Sequence, residues 1–444
     1  MKINIKPPLE VLDILKTFKK AKYEIYIVGG VVRNALLNRP LYDWDFTTNA
    51  TPEQILKLFP EGFYDNKYGT VGIKNENGRP YEITTYRTEE KYTDNRHPDK
   101  IAWGSHLQED LLRRDFTINA FALDSGFELI DLYNGQDDLT NKLIRCVGNP
   151  DERFGEDALR MMRAVRIAAQ LGFQIEQATL QAIQANASKI GHISAERIHD
   201  ELMKLMASNY PADGYLLLHN SGLGAEILPE MEATFGVEQK SPGRHHIFDV
   251  GTHSVEALRH CASSDPITRL ATLIHDVGKA KTQRVLASGT ITFYNHEMES
   301  AKIAVKIADR LRFSNAEKDK FVRLVRWHQF TVDERQTDSA IRRFIKNVGL
   351  ENIEDMIALR VGDRLGGGAR ATSWRLEEYK ARILEVQKQP FSIPDLKISG
   401  KDVMELKNIT PGPQVGKYLQ MIFEEVEKGL VNEREILIEK LKYL

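Results

Sequence analysis

An α/β head followed by a long, mostly α-helical remainder is the fold class predicted by three features of this 444-residue chain. Short strand-like runs at 23–28, 41–47, 70–75, 80–87 and 127–132 alternate with helix-like segments at 31–38, 52–59 and 115–123, the pattern of a sheet covered by helices. Residues 1–22 read as a lead-in helix, with Leu9, Val11, Leu12, Leu15 and Phe18 on one stripe. Beyond residue 150 the helical period dominates, with no internal repeat and no low-complexity stretch. Interruptions at 241–243, at Gly366-Gly367-Gly368 and between Pro390 and Gly416 divide that helical part. The expected organisation is a head over 1–141, a helical neck over 142–240, a body over 241–370 and a tail over 371–444.

Composition sets the class. Hydrophobic content of 42% and charged content of 28% are those of a soluble globular protein. A net charge of -2 leaves no global basic signature, so a nucleic-acid surface must be a local patch. The two cysteines, Cys146 and Cys261, lie far apart and outside any metal-type spacing, which fits a reducing compartment. With no leader-like segment and no apolar run long enough to span a bilayer, a cytoplasmic, unanchored protein is expected.

The stretch from Tyr26 to Phe46 carries the first chemistry. An apolar run ends in Gly29-Gly30, an amphipathic segment carries Arg33, and a second extended run holds Asp43 and Asp45. Carboxylates at i and i+2 on a strand share a face. They repel unless a cation lies between them, and hard oxygens of this kind suit Mg²⁺. Glycine lets the backbone approach a phosphate, helix-start amides attract anions, and Arg33 adds a charge-assisted contact. This is a nucleotidyl-transfer site in outline. Glu82, on the run leading to Arg87, is the expected third acid, since two-metal phosphoryl transfer uses about three. A long polar loop follows at 88–103, then Arg113 and Arg114 before a helix-like segment. Arg114 is assigned to the nucleotide, whereas Asp115 and Asn119 fit either nucleotide contact or bracing of that helix.

With these residues assembled, the chain resembles the class II tRNA nucleotidyltransferase and poly(A) polymerase family, in particular its CCA-adding members. The matching motifs are GGVVRN with DWDF, RTEEKYTDNRHPD, RRDFTINA, EDALRMMRAVR and SAERIHDE, spread over roughly residues 20–240. Asn34 stands where the family usually has Asp after the Arg. The resemblance implies a polymerase-β-like head, and a helical neck, body and tail that hold tRNA.

Base choice is expected in the neck. On one helix, Asp157 and Arg160 would project from the same side, while Glu156, Arg160 and Arg163 would form an i, i+4, i+7 stripe. Cytosine and adenine each present an amine donor beside a ring-nitrogen acceptor; uracil and guanine present the reverse. A carboxylate beside a guanidinium therefore suits C and A, and the resemblance implies the same template. Arg163 and Arg166 then face the triphosphate, and Glu196, Arg197 and Glu201 brace the neck.

A second constellation lies downstream. His275-Asp276 ends an apolar helix-like run, with His253 upstream and Asp363 downstream, and this region resembles an HD-type phosphohydrolase domain. His296 and His328 extend the ligand set to a second metal, Lys279 is placed to meet a phosphate, and a divalent transition metal suits the histidines. Hydrolysis of 2′,3′-cyclic phosphates or phosphomonoesters is what the resemblance implies. In the tail, the run from Pro411 to Gly416 opens a helix whose amides suit RNA phosphate or a plain turn, with Lys401, Lys407 and Lys417 nearby.

The expected activity is addition of C, C and A to the tRNA 3′ end from CTP and ATP, with no membrane partner. An A-adding enzyme, a poly(A) polymerase, and an HD phosphohydrolase whose head only grips RNA are the competing readings. A poly(A) polymerase would be expected to carry a strongly basic tail. CC-adding relatives resemble this family but lack the element at 88–103.

Overall fold

A computed structural model describes residues 1–64, 69–75, 80–90, 100–104, 106–239, 248–333, 335–387, 393–428 and 430–444. The 241–243 interruption and the centre of the polar loop lie outside these residues. The chain forms two compact units, one from 1–233 with 307–313 and one from 234–306 with 314–444.

In the first unit, the strands up to residue 131 are β1 (Ile25–Val28), β2 (Asp45–Thr48), β3 (Phe63–Tyr64), β4 (Thr70–Ile73), β5 (Tyr81–Thr85), β6 (Arg87–Glu90), β7 (Lys100–Trp103), β8 (Phe121–Leu123) and β9 (Leu129–Asp131), and a two-residue parallel pair, Leu143–Ile144 with Gln174–Ile175, lies beyond them. Seven of them form one mixed sheet in the order β3-β4-β5-β2-β1-β8-β9. Only β2 and β5 run parallel, in a register that sets Asp45 opposite Glu82. The centre of the sheet is dry: Ile27, Phe46 and Ile83 are fully buried. Helix Leu9–Lys20 packs through Val11, Ile14, Leu15 and Phe18, whereas Leu9, expected on that stripe, is exposed.

Two elements differ from the sequence pattern. The apolar run 115–123 is not one helix: it is a 3-10 turn, Thr117–Asn119, followed by β8. The run includes Phe116, Thr117, Ile118 and Phe121, residue types that favour extended backbone, and β8 gains a ladder on both sides, with β1 and with β9. The polar loop is bounded by paired strands, since β6 and β7 run antiparallel from Arg87 opposite Trp103.

The neck is helical. Helix Leu159–Leu171 is buried through Met161, Met162, Val165 and Ala168 and packs on helices Ala195–Met206 and Pro211–Asn220.

The second unit is a helical bundle. Helices Val250–Arg259 and Ile353–Gly366 lie against one another backbone to backbone. A Cβ on Gly362 would stand 2.6 Å from the Ala257 carbonyl oxygen, and one on Gly366 2.5 Å from the Ala257 nitrogen. That approach brings Asp363 up to His253. Gly278 serves likewise, because a Cβ there would meet the His296 carbonyl oxygen at 2.3 Å. The tail has its own apolar core from Leu396, Ile398, Val403, Ile422, Val426, Leu437 and Leu441. No helix among the described residues is long and apolar enough to cross a membrane.

Gly362→Ala should destabilise the second unit. The helix-propensity gain of about 1 kcal/mol is smaller than the overpacking cost of about 1–3 kcal/mol, because the opposing atoms are backbone and cannot step aside. Thermal unfolding by calorimetry should show a lower transition for that unit alone.

Candidate functional site

In the head, a cavity of about 910 Å³ is lined by Asp43, Asp45, Glu82, Tyr42, Trp44 and Tyr81 among others. Asp45 begins β2, and Glu82 is its partner on β5. Asp43 does not share the strand: β2 starts at Asp45, and Asp43 is exposed in the connection before it. The two acids therefore meet at a strand entrance and not by strand alternation. Burial, then the Glu82 carboxylate, then Asp43, push the Asp45 carboxyl up to about 6, against the opposing pull of Arg114. Two carboxylates beside a third, half-sheltered one form a site short of positive charge. Oxygen donors in that number fit Mg²⁺.

Gly29 borders the same acids. Its φ of 78° favours glycine, and a Cβ there would lie 3.4 Å from Arg114 Nη1 and 3.6 Å from Asp45 Oδ2. Gly30 opens the helix that carries Arg33. Arg33 donates from Nη1 to Asn119 Oδ1 at 2.5 Å and from Nη2 to Asn34 Oδ1 at 3.1 Å. Both acceptors are neutral, while burial and the neighbouring Arg166, Arg39 and Arg163 pull Arg33 down to about 10 against Asp115. A guanidinium with uncharged partners among other guanidiniums suits an anion.

Arg113 and Arg114 share one buried acid missed by the sequence reading, Asp110. Arg113 Nη2 lies 2.5 Å from its Oδ1 and Arg114 Nη2 3.2 Å from its Oδ2. Burial opposes the charge, but the two arginines hold Asp110 below the usual carboxylate range. The i, i+3 and i, i+4 spacing in EDLLRR was the available signal.

The head meets the neck through Asp115. Its Oδ2 accepts from Arg163 Nε at 2.9 Å and Nη2 at 2.6 Å. Its Oδ1 accepts from the Phe116 amide at 2.9 Å and from Asn119 Nδ2 at 3.0 Å. Asn119 in turn holds Arg33. Burial raises the Asp115 carboxyl, yet Arg163 and Asn119 outweigh it and hold the group well below its ordinary range.

Asp157 and Arg160 differ from the expected helical pair. Helix Pro150–Glu156 ends before Asp157, and the next begins at Leu159. Asp157 caps that start, accepting from the Leu159 amide at 3.0 Å. A carboxylate stabilises the helix start it precedes, which favours a break in the chain there. Its Oδ2 takes Arg197 Nη2 at 2.7 Å. Arg160 pairs with Glu156 at 2.5 Å and donates to the Arg113 carbonyl at 2.9 Å. Arg166 is held by Glu201 at 2.5 Å and Gln170 at 2.9 Å. The side chains assigned to the base and to the triphosphate thus each have a protein partner.

In the second unit, four histidines converge on two acids. His253 Nε2 lies 3.1 Å from Asp363 Oδ1 and 3.5 Å from Asp276 Oδ2. His275 Nε2 lies 3.2 Å from Asp276 Oδ2 and 3.6 Å from Asp363 Oδ1. On the other side of Asp276, His296 Nε2 and His328 Nε2 approach Oδ1 at 3.2 and 3.5 Å. His275, His296 and His328 each point Nδ1 at a backbone carbonyl, of Thr272, Phe293 and Val325, at 2.6, 2.8 and 2.7 Å. A carbonyl only accepts, so Nδ1 carries a proton in each of these rings, and Nε2 faces carboxylate oxygen. Nitrogen and oxygen so placed hold either a second proton on the ring or a cation between them. Burial disfavours charge on His275, but Asp276 and Asp363 push it up to about 10, whereas burial pulls His328 down. Asp276 faces both groups of ligands, and the nitrogen-rich set suits a transition metal.

Comparisons with known proteins follow this geometry. A family model of the poly(A) polymerase head domain matches residues 25–145, one of the RNA- and SrmB-binding site of polymerase A matches 172–235, and one of tRNA nucleotidyltransferase domain 2 matches 290–441. A CCA-adding enzyme of Ligilactobacillus salivarius is 33% identical over 98% of this chain and 96% of its own length. One from Geobacillus kaustophilus is 46% identical over 52% of this chain, and the match spans 57% of that relative. The crystal structure of the Bacillus stearothermophilus CCA-adding enzyme in complex with CTP superposes with a TM-score of 0.71 at 29% identity, covering 99% of this chain and 98% of that one.

Asp115→Ala should cost about 3 kcal/mol in the unfolding of the first unit, since it leaves Arg163 without its buried partner. A depressed carboxyl contributes stability above its unfolded-state pKa and loses it as pH falls through the folded one. The difference between variant and wild type in urea titrations should therefore shrink steadily in acid.

Proposed function

The chain belongs to the family of CCA-adding enzymes, and we propose that it adds C, C and A to the 3′ end of tRNA from CTP and ATP. The observation that carries this reading is the head cavity, where Asp43, Asp45 and Glu82 converge beside Gly29 and Arg114. In the reaction, the 3′ hydroxyl oxygen of tRNA forms a bond to the α-phosphorus. The bond from that phosphorus to the bridging oxygen breaks, pyrophosphate leaves, and the hydroxyl proton passes to solvent. Asp43 and Asp45, with Glu82 beside them, would hold Mg²⁺, which when bound supplies neutralisation of triphosphate charge and a more acidic hydroxyl.

The chain's own groups do the positioning. Gly29 and Gly30 let the phosphates approach the backbone, and Arg33 and Arg114 receive negative charge. Asp157 and Arg160 present acceptor and donor to the base, with Arg197 and Glu156 fixing their directions. Fixing matters because an accept-donate pair discriminates only while its geometry holds, at roughly 1–3 kcal/mol per mismatched contact. Arg163 and Arg166 keep the neck helix pinned by Asp115 and Glu201 while adding to the positive field.

For the second unit we propose a metal centre of the HD type, held by His253, His275, Asp276 and Asp363, with His296 and His328 completing a second position around Asp276. The gathering of four histidine Nε2 atoms around two carboxylates, with three of the rings tied by Nδ1 to backbone carbonyls, supports it. A bound metal there supplies Lewis acidity toward a phosphate ester, the chemistry of a phosphohydrolase.

Transfer is read by incorporating each labelled nucleotide on tRNA lacking its last three residues. CTP and ATP should both enter and UTP and GTP should not; entry of ATP alone would indicate an A-adding enzyme. Replacing Asp43 and Asp45 together by Ala should lower the rate by about a thousandfold or more, and undiminished addition would remove the head assignment. Separately, elemental analysis of the purified chain should find a transition metal that His275→Ala loses while nucleotide addition persists.

A further inference from the structure

We propose that Arg360 is the clamp for the phosphoryl group of an ester substrate in the histidine-lined cavity of the second unit, an inference that rests on the metal-centre reading above. That cavity has a volume of about 430 Å³ and is lined by Asp276, His296, His328 and Asp363 together with two cations, Lys279 and Arg360. The volume falls within the range of small-ligand pockets.

The two cations differ in how much of their charge is already spent. Lys279 is buried, with its ammonium 2.6 Å from Asp276 Oδ2 and donating to Gln239 Oε1 at 2.9 Å. It sits over the Phe293 ring at 5.4 Å. Its charge is answered by Asp276, and it has little left to offer an incoming anion.

Arg360 is arranged otherwise. Among the described residues its guanidinium has one hydrogen-bond partner, Asp363 Oδ2, reached from Nη1 at 3.1 Å. The guanidinium carbon lies 5.5 Å from the centre of the Phe330 ring. Phe330 is itself fixed by Phe344 and Tyr379, at ring separations of 4.6 and 5.6 Å. A guanidinium carries five N–H donors in a rigid fork, so most of them remain available to a tetrahedral anion. The ring contact and the single carboxylate hold the fork without saturating it.

The same carboxylate decides where the fork points. Asp363 gives Oδ1 to His253 and Oδ2 to Arg360, so the guanidinium keeps a set place beside the metal-facing nitrogens. An i, i+3 ion pair on an open helix would contribute little and would need no aromatic seat. Here the pair lines a cavity, and its position suits recognition better than stability. Lysine would supply charge there but neither the flat face nor the two-pronged contact.

The test uses the full chain as wild type, Arg360→Met, which keeps length and much of the packing on Phe330, and Arg360→Lys. Inorganic phosphate binding is read by calorimetry, metal content by elemental analysis, and hydrolysis of p-nitrophenyl phosphate by KM and kcat separately. Arg360→Met should bind phosphate about tenfold or more weakly, with metal per chain unchanged and KM raised more than kcat is lowered. Arg360→Lys should recover part of the binding, and it serves as the decisive variant if the methionine form does not fold. Phosphate binding equal to wild type in the variants, or absent from the wild type, overturns the clamp. Wild type without bound metal would instead sink the metal reading, and the phosphate titrations on that same protein still judge Arg360.

Discussion

Asp115 is the constraint on which the head and neck depend. A carboxylate this deeply buried persists only if fully paired, and its two side-chain partners come from different parts of the site. Arg163 comes from the neck helix, Asn119 from the turn before β8, and Asn119 passes the connection on to Arg33 beside the glycine turn. One charge thereby sets the distance between the residues proposed to choose the base and those proposed to hold the phosphates. The backbone repeats the link, with the Val147 amide bonded to the Asp115 carbonyl and the Thr117 amide to that of Arg145.

The two candidate sites share one electrostatic logic with different donors. In the head, burial and then the neighbouring carboxylates push Asp45 up to about 6. In the second unit, histidine nitrogens and carboxylates face one another across 3.1–3.6 Å. Each arrangement gathers donor atoms that suit a cation. Oxygen alone suits a hard ion such as Mg²⁺, and nitrogen with oxygen a borderline one. Asp110 absorbs part of the charge of Arg113 and Arg114, whereas among the described residues Arg33 hydrogen-bonds to neutral amide oxygens.

Glycine does its work here by absence. Gly278, Gly362 and Gly366 carry no side chain because another helix's backbone occupies that space. Closing those gaps is what assembles His253, Asp276, His296 and Asp363 from four separate stretches of chain.

The residue order determined much of this by itself. Strand, Gly29-Gly30, helix and the Asp43-Asp45 pair are local features, and local features follow from spacing and residue type. The same holds for the His253, His275-Asp276, Asp363 order and for the change from strand-like to helical periods near residue 150. Tertiary structure decided the rest. Spacing placed Asp157 on a helix with Arg160, but the chain breaks there, and its carboxylate caps the next helix and takes Arg197, 40 residues away. The 115–123 run read as helical until neighbouring strands made a ladder the better use of its amides. Which acid each arginine meets depends on pairings between distant segments. No window of sequence encodes them, because burial sets the cost of leaving a charge unpaired, and burial exists only once the chain has closed.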